Sequence, residues 1–188
     1  MDIFYKVEVR DTDKTRHYWA DRKQLSEATK NMLSEADVFV LPWDHIEEGK
    51  EYYPDSTTEF FKGLISNNSG IQFSLVVDPH DYREISLHSK RIRWPTMHVM
   101  TVSLGVLSSL LASQIEKHAN ERLDETILET SLIIEDADGK CIEFRYVGPP
   151  NELVTELLKN AARCFPKEEI DKDATYIARR INEAHSDR

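Results

Sequence analysis

Cysteine is scarce: the 188 residues hold two, Cys141 and Cys164. Neither belongs to a CxxC pair or has a histidine at ligand spacing along the chain, so no zinc-ribbon or dithiol redox framework is written in the sequence. Two buried thiols of a reducing compartment are the expectation. Glycine is scarce as well, six in all, and no glycine-rich loop exists to cradle a phosphate. A GxSxG nucleophile elbow is absent, and neither cysteine has an activating neighbour in sequence. The opening segment MDIFYKVEVR lacks the apolar core of a secretion signal, which points to the cytoplasm. Cations are outnumbered, 24 Lys and Arg against 34 Asp and Glu, for a formal charge of -10. Such a balance disfavours nucleic acid, whose phosphates are held by Lys and Arg, and favours a basic protein partner.

What is present is an ordinary globular composition, 40% hydrophobic and 31% charged. The length suits one well-cored domain over residues 1–188, with a polar stretch at 118–124 as a subdomain boundary. The chain is organised around Arg93 to Lys117, which carries no charged residue between Trp94 and Ile115. Pro95 fits a first helical turn. Val99, Met100, Leu104, Val106, Leu107, Leu110, Leu111 and Ile115 recur on one broad face. The opposite side is small rather than charged: Thr101, Gly105, Ser108, Ser109 and Ala112. This pattern predicts a long buried central helix over 95–117, its small side admitting a second helix at close range. That neighbour is either a later helix of the chain or the same helix of a second protomer. The run is nominally long enough to span a bilayer, but His98, two Thr and four Ser make it a weak insertion sequence. A membrane is therefore not the expected partner.

Elsewhere the chain alternates between strand and helix signals. Ile3, Tyr5, Val7 and Val9 alternate with Phe4, Lys6, Glu8 and Arg10 as in a half-buried strand, and Lys14 to Trp19 can return as its hairpin partner. Asp21, with Gln24 three residues on, marks a helix start, and Leu25, Ala28, Met32 and Leu33 its inner face. Ala36 to Leu41 reads as a strand, Pro42 to Asp55 as a long loop, and Ser56 with Glu59 as a capping box for the next helix. Ile71 to Val77 is apolar enough for the middle of a sheet. Strand, helix and strand over 36–77 thus form a βαβ crossover with parallel strands. Arg83 to His88 reads as an edge strand. Asp138-Gly139 is a two-residue turn between strands covering 130–147, a register that pairs Ile133 with Phe144 and puts Glu143 and Arg145 on the other face. Two C-terminal helices follow, after Asn151 and after Pro166. The whole predicts an α+β protein with a mixed sheet.

Three groups of residues could carry chemistry. His45 and Glu48 in the 42–55 loop, with Asp78 and His80 in the DPHD turn, offer nitrogen and oxygen donors for a divalent metal at a strand end. Lys90, Arg91, Arg93 and Trp94 form a basic cluster ahead of the central helix, where a helix N-terminus would help hold an anion. Pro54-Asp55 with Asp138-Gly139-Lys140 can be forced into a nuclease-like string, but Asp-Gly is what the hairpin backbone demands there. With no catalytic motif and no cofactor signature, the leading expectation is a non-catalytic cytosolic interaction protein: an accessory, regulatory or neutralising subunit that binds a protein partner or a second copy of itself. The alternatives are a metal-dependent hydrolase built on the 45–48 and 78–88 segments, and a small-molecule or nucleotide sensor at the basic cluster.

Overall fold

Alternating charged and apolar residues near the start of the chain form strand β1 (Lys6–Thr12), whose Val7 and Val9 pack toward the core while Lys6, Glu8 and Arg10 are exposed. The computed structural model describes residues 5–47, 50–66, 70–86, 91–100, 102–118, 126–136 and 138–160; the side chains of 44–47, 50 and 118 are not among the described groups. After β1 come helices α1 (Arg16–Ala20) and α2 (Glu27–Glu35), then strands β2 (Val38–Leu41), β3 (Trp43–Glu47) and β4 (Lys50–Pro54). Helix α3 (Thr57–Ser66) precedes β5 (Phe73–Leu75), β6 (Glu84–Ile85), β7 (Arg91–Arg93) and β8 (Thr96–Val99). Helix α4 (Leu104–His118), β9 (Ile127–Glu135), β10 (Cys141–Gly148) and α5 (Leu153–Asn160) complete the described elements. The main sheet runs β1-β10-β9-β8-β2-β5, with β7 beside β9 ahead of β8, and it mixes parallel and antiparallel pairs. The fold is α+β. β2 and β5 are parallel neighbours with α3 between them in sequence, as the 36–77 crossover requires.

Several elements depart from the sequence expectation, each for a local reason. The central helix begins at Leu104, not at residue 95, because Thr96–Val99 is a strand between β2 and β9. So short a segment satisfies either period; here strands on both sides supply backbone partners, which settles it for β. Lys14 to Trp19 is no return strand: Thr15 accepts a hydrogen bond from the Tyr18 amide and starts α1. Ser26, not Asp21, caps α2, and the buried face of that region is Leu25, Thr29, Leu33 and Ala36, leaving Ala28 and Met32 exposed. Pro42 to Asp55 is a hairpin rather than a loop. It joins β6 in a small second sheet and is anchored by Tyr53, which is fully buried, donates to the Val40 carbonyl at 3.3 Å and packs on Tyr82. Of the Arg83 to His88 edge strand the described residues form β6, residues 87 and 88 lying outside them, and β5 lies at the edge of the main sheet rather than in its middle. Ser56 donates to the Arg93 carbonyl at 2.6 Å, and it is Glu84 that accepts from the Thr58 amide at the start of α3. The helix expected after Pro166 and Cys164 lie outside the described residues.

The correction with the largest consequence is one residue in size. Asp136 pairs with Lys140 through an amide-to-carbonyl bond of 2.9 Å, so three residues, not two, make the turn. The Asp136 carboxylate accepts from the Asp138 and Lys140 amides, each at 2.9 Å, and Gly139 sits at φ 76°. This is the three-residue hairpin with a left-handed last position. The register becomes Ile134↔Ile142, Leu132↔Phe144 and Thr130↔Tyr146. A slip of one residue exchanges the faces of a strand. Ile133 therefore lies across from Glu143, while Leu132, Ile134, Phe144 and Tyr146 share the core with Met97, Val99, Leu107 and Leu111 beneath α3, α4 and α5.

The opposite face is covered in part only. Helices α1 and α2 bury Trp19, Leu25 and Leu33 against Phe39, Leu41, Ile133 and Cys141. Beyond them the face of β1, β10 and the first half of β9 carries charge.

Candidate functional site: the open face of the sheet

Register places Lys6, Glu8 and Arg10 of β1 beside Val147, Arg145 and Glu143 of β10, and those beside Glu129, Ser131 and Ile133 of β9. Glu129 in turn faces Arg93 of β7. The cleft over this surface holds about 170 Å³, below the size of typical small-molecule pockets. Its floor is Ser131, Ile133, Thr96 and Leu41; Lys14 and Trp19 stand on one side and Trp43 on the other.

The charges are held sideways by one another. Glu143, 7% exposed in its side chain, takes Arg10 at 2.6 Å and Arg145 at 2.6 Å, and accepts from the Ser131 hydroxyl at 3.2 Å. Burial alone would raise its carboxyl, but the hydrogen bonds from Arg145 and Arg10 outweigh it and hold the group below the ordinary carboxylate range. Arg93 and Arg91 approach Glu129 at 3.2 and 3.7 Å, and the Arg93 guanidinium lies 5.9 Å from the centre of the Trp43 ring. Two cations lie over the Trp19 ring, Lys14 at 5.5 Å and Arg22 at 5.2 Å from its centre. Arg22 also pairs with Glu51 of the hairpin. On the strands of this face Lys6, Arg10, Arg91, Arg93 and Arg145 stand against Glu8, Glu129, Glu143 and, where α1 covers it, Glu135, a local excess of positive charge within a chain of net charge -10.

Where α1 closes the face, His98 is buried completely and its Nε2 lies 2.8 Å from Glu135, which also accepts from the Arg16 amide at 2.7 Å. Burial lowers the His98 imidazole to about 4, against the raising pull of the Glu135 carboxylate.

The residues singled out from sequence are dispersed. Arg91 and Arg93 do border the open face, but on a strand, so no helix terminus assists them; Trp94 is buried against Phe60 at 4.9 Å between ring centres and presents nothing to a ligand. Lys90, Glu48 and Thr101 lie outside the described residues, as does the side chain of His45, which sits on β3. Asp78 and His80 come together with Asp81 within 4.8 Å. Asp78, however, is spent on α2: it accepts from the Ser26 amide and hydroxyl and from the Thr29 hydroxyl, which keeps its carboxyl below the ordinary range. His80 is 78% exposed, 3.3 Å from Asp81. Of the small residues of α4, Gly105 and Ser108 are buried, Ala112 is half-buried and Ser109 is exposed, as is Val106 on the apolar side. Close approach of helices occurs at Gly63 of α3, where an added Cβ would meet the buried Gln114 side chain of α4 at 2.6 Å.

The face itself was not singled out from sequence. Its signal was the period-two charge in Lys6-x-Glu8-x-Arg10 and Glu143-x-Arg145, legible only once the two strands are known to be neighbours. No helix among the described residues is long and apolar enough to cross a membrane. The chain matches no protein-family model, no curated protein and no solved structure.

Proposed function

We propose that the protein is a non-catalytic interaction protein, an accessory, regulatory or neutralising subunit, that binds a macromolecular partner through the open sheet face. The observation that carries this reading is a face of charged side chains fixed by lateral ion pairs on a rigid sheet. Such groups lose little freedom when a partner arrives. A cleft of about 170 Å³ favours a surface contact over an enclosed metabolite. The net charge alone suggested a basic partner; the local excess of Lys and Arg on this face instead favours an acidic segment, with like-charge repulsion elsewhere on the chain steering its approach. The hydrolase reading has less support, because the Asp78 carboxylate already accepts from Thr29 and Ser26.

A glutamate-rich peptide titrated against the full chain tests the proposal. The expected result is binding that weakens with added salt and falls about tenfold or more in Arg93→Glu/Arg145→Glu, as reversed charges in a contact require. Absence of binding to the parent, or equal binding by parent and variant, overturns it.

A further inference from the structure

At the other end of the same strands three different donor groups converge. His98 of β8, Glu135 of β9 and Cys141 of β10 share one face, and one ligand atom from each lies within 4.8 Å of the others. His98 is fully buried and Cys141 is 4% exposed. The ordinary account, a histidine hydrogen-bonded to a carboxylate in the core, explains only part of this. It does not account for the third donor, the Cys141 sulfur, which lies within 4.8 Å of the other two ligand atoms. Imidazole nitrogen, carboxylate oxygen and thiolate sulfur are together the donor set of zinc. Bond lengths to zinc of about 2.0–2.3 Å put neighbouring ligand atoms about 3.3–3.8 Å apart, so His98 Nε2 and Glu135, in contact at 2.8 Å, would part slightly to admit the ion while Cys141, within 4.8 Å of both, closes on it.

The surroundings favour a cation. Cys141 opens on a cleft that Asp11, Asp13 and Asp136 also line, with Lys140 as the opposing charge. Such a mouth concentrates cations and admits water. The Arg16 amide bonded to Glu135 would orient that carboxylate from behind.

We propose that His98, Glu135 and Cys141 bind a divalent transition metal, zinc by donor preference, with water from the acidic cleft as the fourth ligand. On binding, the thiol proton leaves to solvent. The imidazole proton moves from Nε2 to Nδ1, so Nε2 presents its lone pair to the ion and one proton is released per metal bound.

The test uses the full chain carrying Cys164→Ser, so that any sulfur ligation reports Cys141. Titration with Co(II) is expected to give a thiolate-to-cobalt charge-transfer band with the visible bands of a four-coordinate ion, displaced by zinc. Adding Cys141→Ser is expected to abolish the charge-transfer band. A protein with no such band, or a band that survives Cys141→Ser, overturns the site. Should Cys141→Ser fail to fold, the unsubstituted chain decides: zinc in excess of its dissociation constant should slow alkylation of Cys141, followed by peptide mass spectrometry, by about tenfold, since only the metal-free fraction reacts. An unchanged rate overturns the proposal equally.

Discussion

The two faces of the central sheet are made by the same strands and differ in almost everything else. On the helix side Leu132, Ile134, Phe144 and Tyr146 are buried under α3, α4 and α5. On the other, Ser131, Glu143 and Arg145, each one residue away in the chain, meet a shallow cleft. The first face is stabilised by removal of apolar area from water, which tolerates exchange of like for like. The second is held by hydrogen-bonded charges, which contribute little net stability but fix geometry. Apolar burial and fixed charge are thus separated across a sheet one residue thick.

That contrast can be broken most severely from the helix side. Phe144→Ala should cost about 3–5 kcal/mol, the usual range for emptying a buried aromatic site, measured by denaturant unfolding. A loss below ~1 kcal/mol would place Phe144 on the wrong face, since surface changes fall in that range. Next comes Glu143→Gln on the opposite face. Its cost is expected at about 1–2 kcal/mol near neutral pH, less than a fully buried pair because Arg10 and Arg145 are half-exposed. The sign of its pH dependence follows from the depressed carboxyl. The stabilisation is complete above the ordinary carboxylate range and is lost as pH falls through the lowered folded value. Glu143→Gln should therefore flatten the acid limb of the stability profile; an unaltered limb would remove Glu143 from the network.

Gly139→Val examines the turn that sets which residues reach which face. Open space surrounds the position, so the cost is the backbone's own at φ 76°, about 1 kcal/mol or somewhat more for a β-branched side chain. An unchanged melting temperature would refute the left-handed turn. The smallest effect is expected at Arg145→Ala, within about 0.5 kcal/mol of the parent in stability, while acidic-peptide binding weakens. A large stability loss here would make the open face part of the core and erase the contrast.

Much of the chain's grammar was legible before the fold was known. The α+β class, the parallel pair across 36–77 and the existence of the 130–147 hairpin follow from apolar period and turn residues. The candidate face was not, because it depends on which strands stand side by side. Lys6, Glu8 and Arg10 read as the solvated edge of a half-buried strand until β10 is placed against them. For Asp78, residue type alone cannot reveal that Ser26 and Thr29, some fifty positions earlier, already donate to it. His98 and Glu135 are separated by a helix in sequence and meet only through the parallel pairing of β8 and β9.

By itself the sequence determined where the apolar surface is and where the backbone must turn, since both are properties of neighbouring residues. It placed Leu104, Leu107 and Leu111 on one helix face, and that face is buried. The tertiary structure alone decided the state of Thr96–Val99 and the register of β10 on β9. Four residues, Thr-Met-His-Val, are too few to separate the two periods, and only strands on both sides select one. Asp-Gly allows a turn of two residues or the end of a turn of three; the Asp136 carboxylate and the packing of Leu132 and Phe144 under α4 select the latter. With that choice every side chain of β10 is assigned to a face relative to β9, because a strand shifted by one residue presents its opposite side.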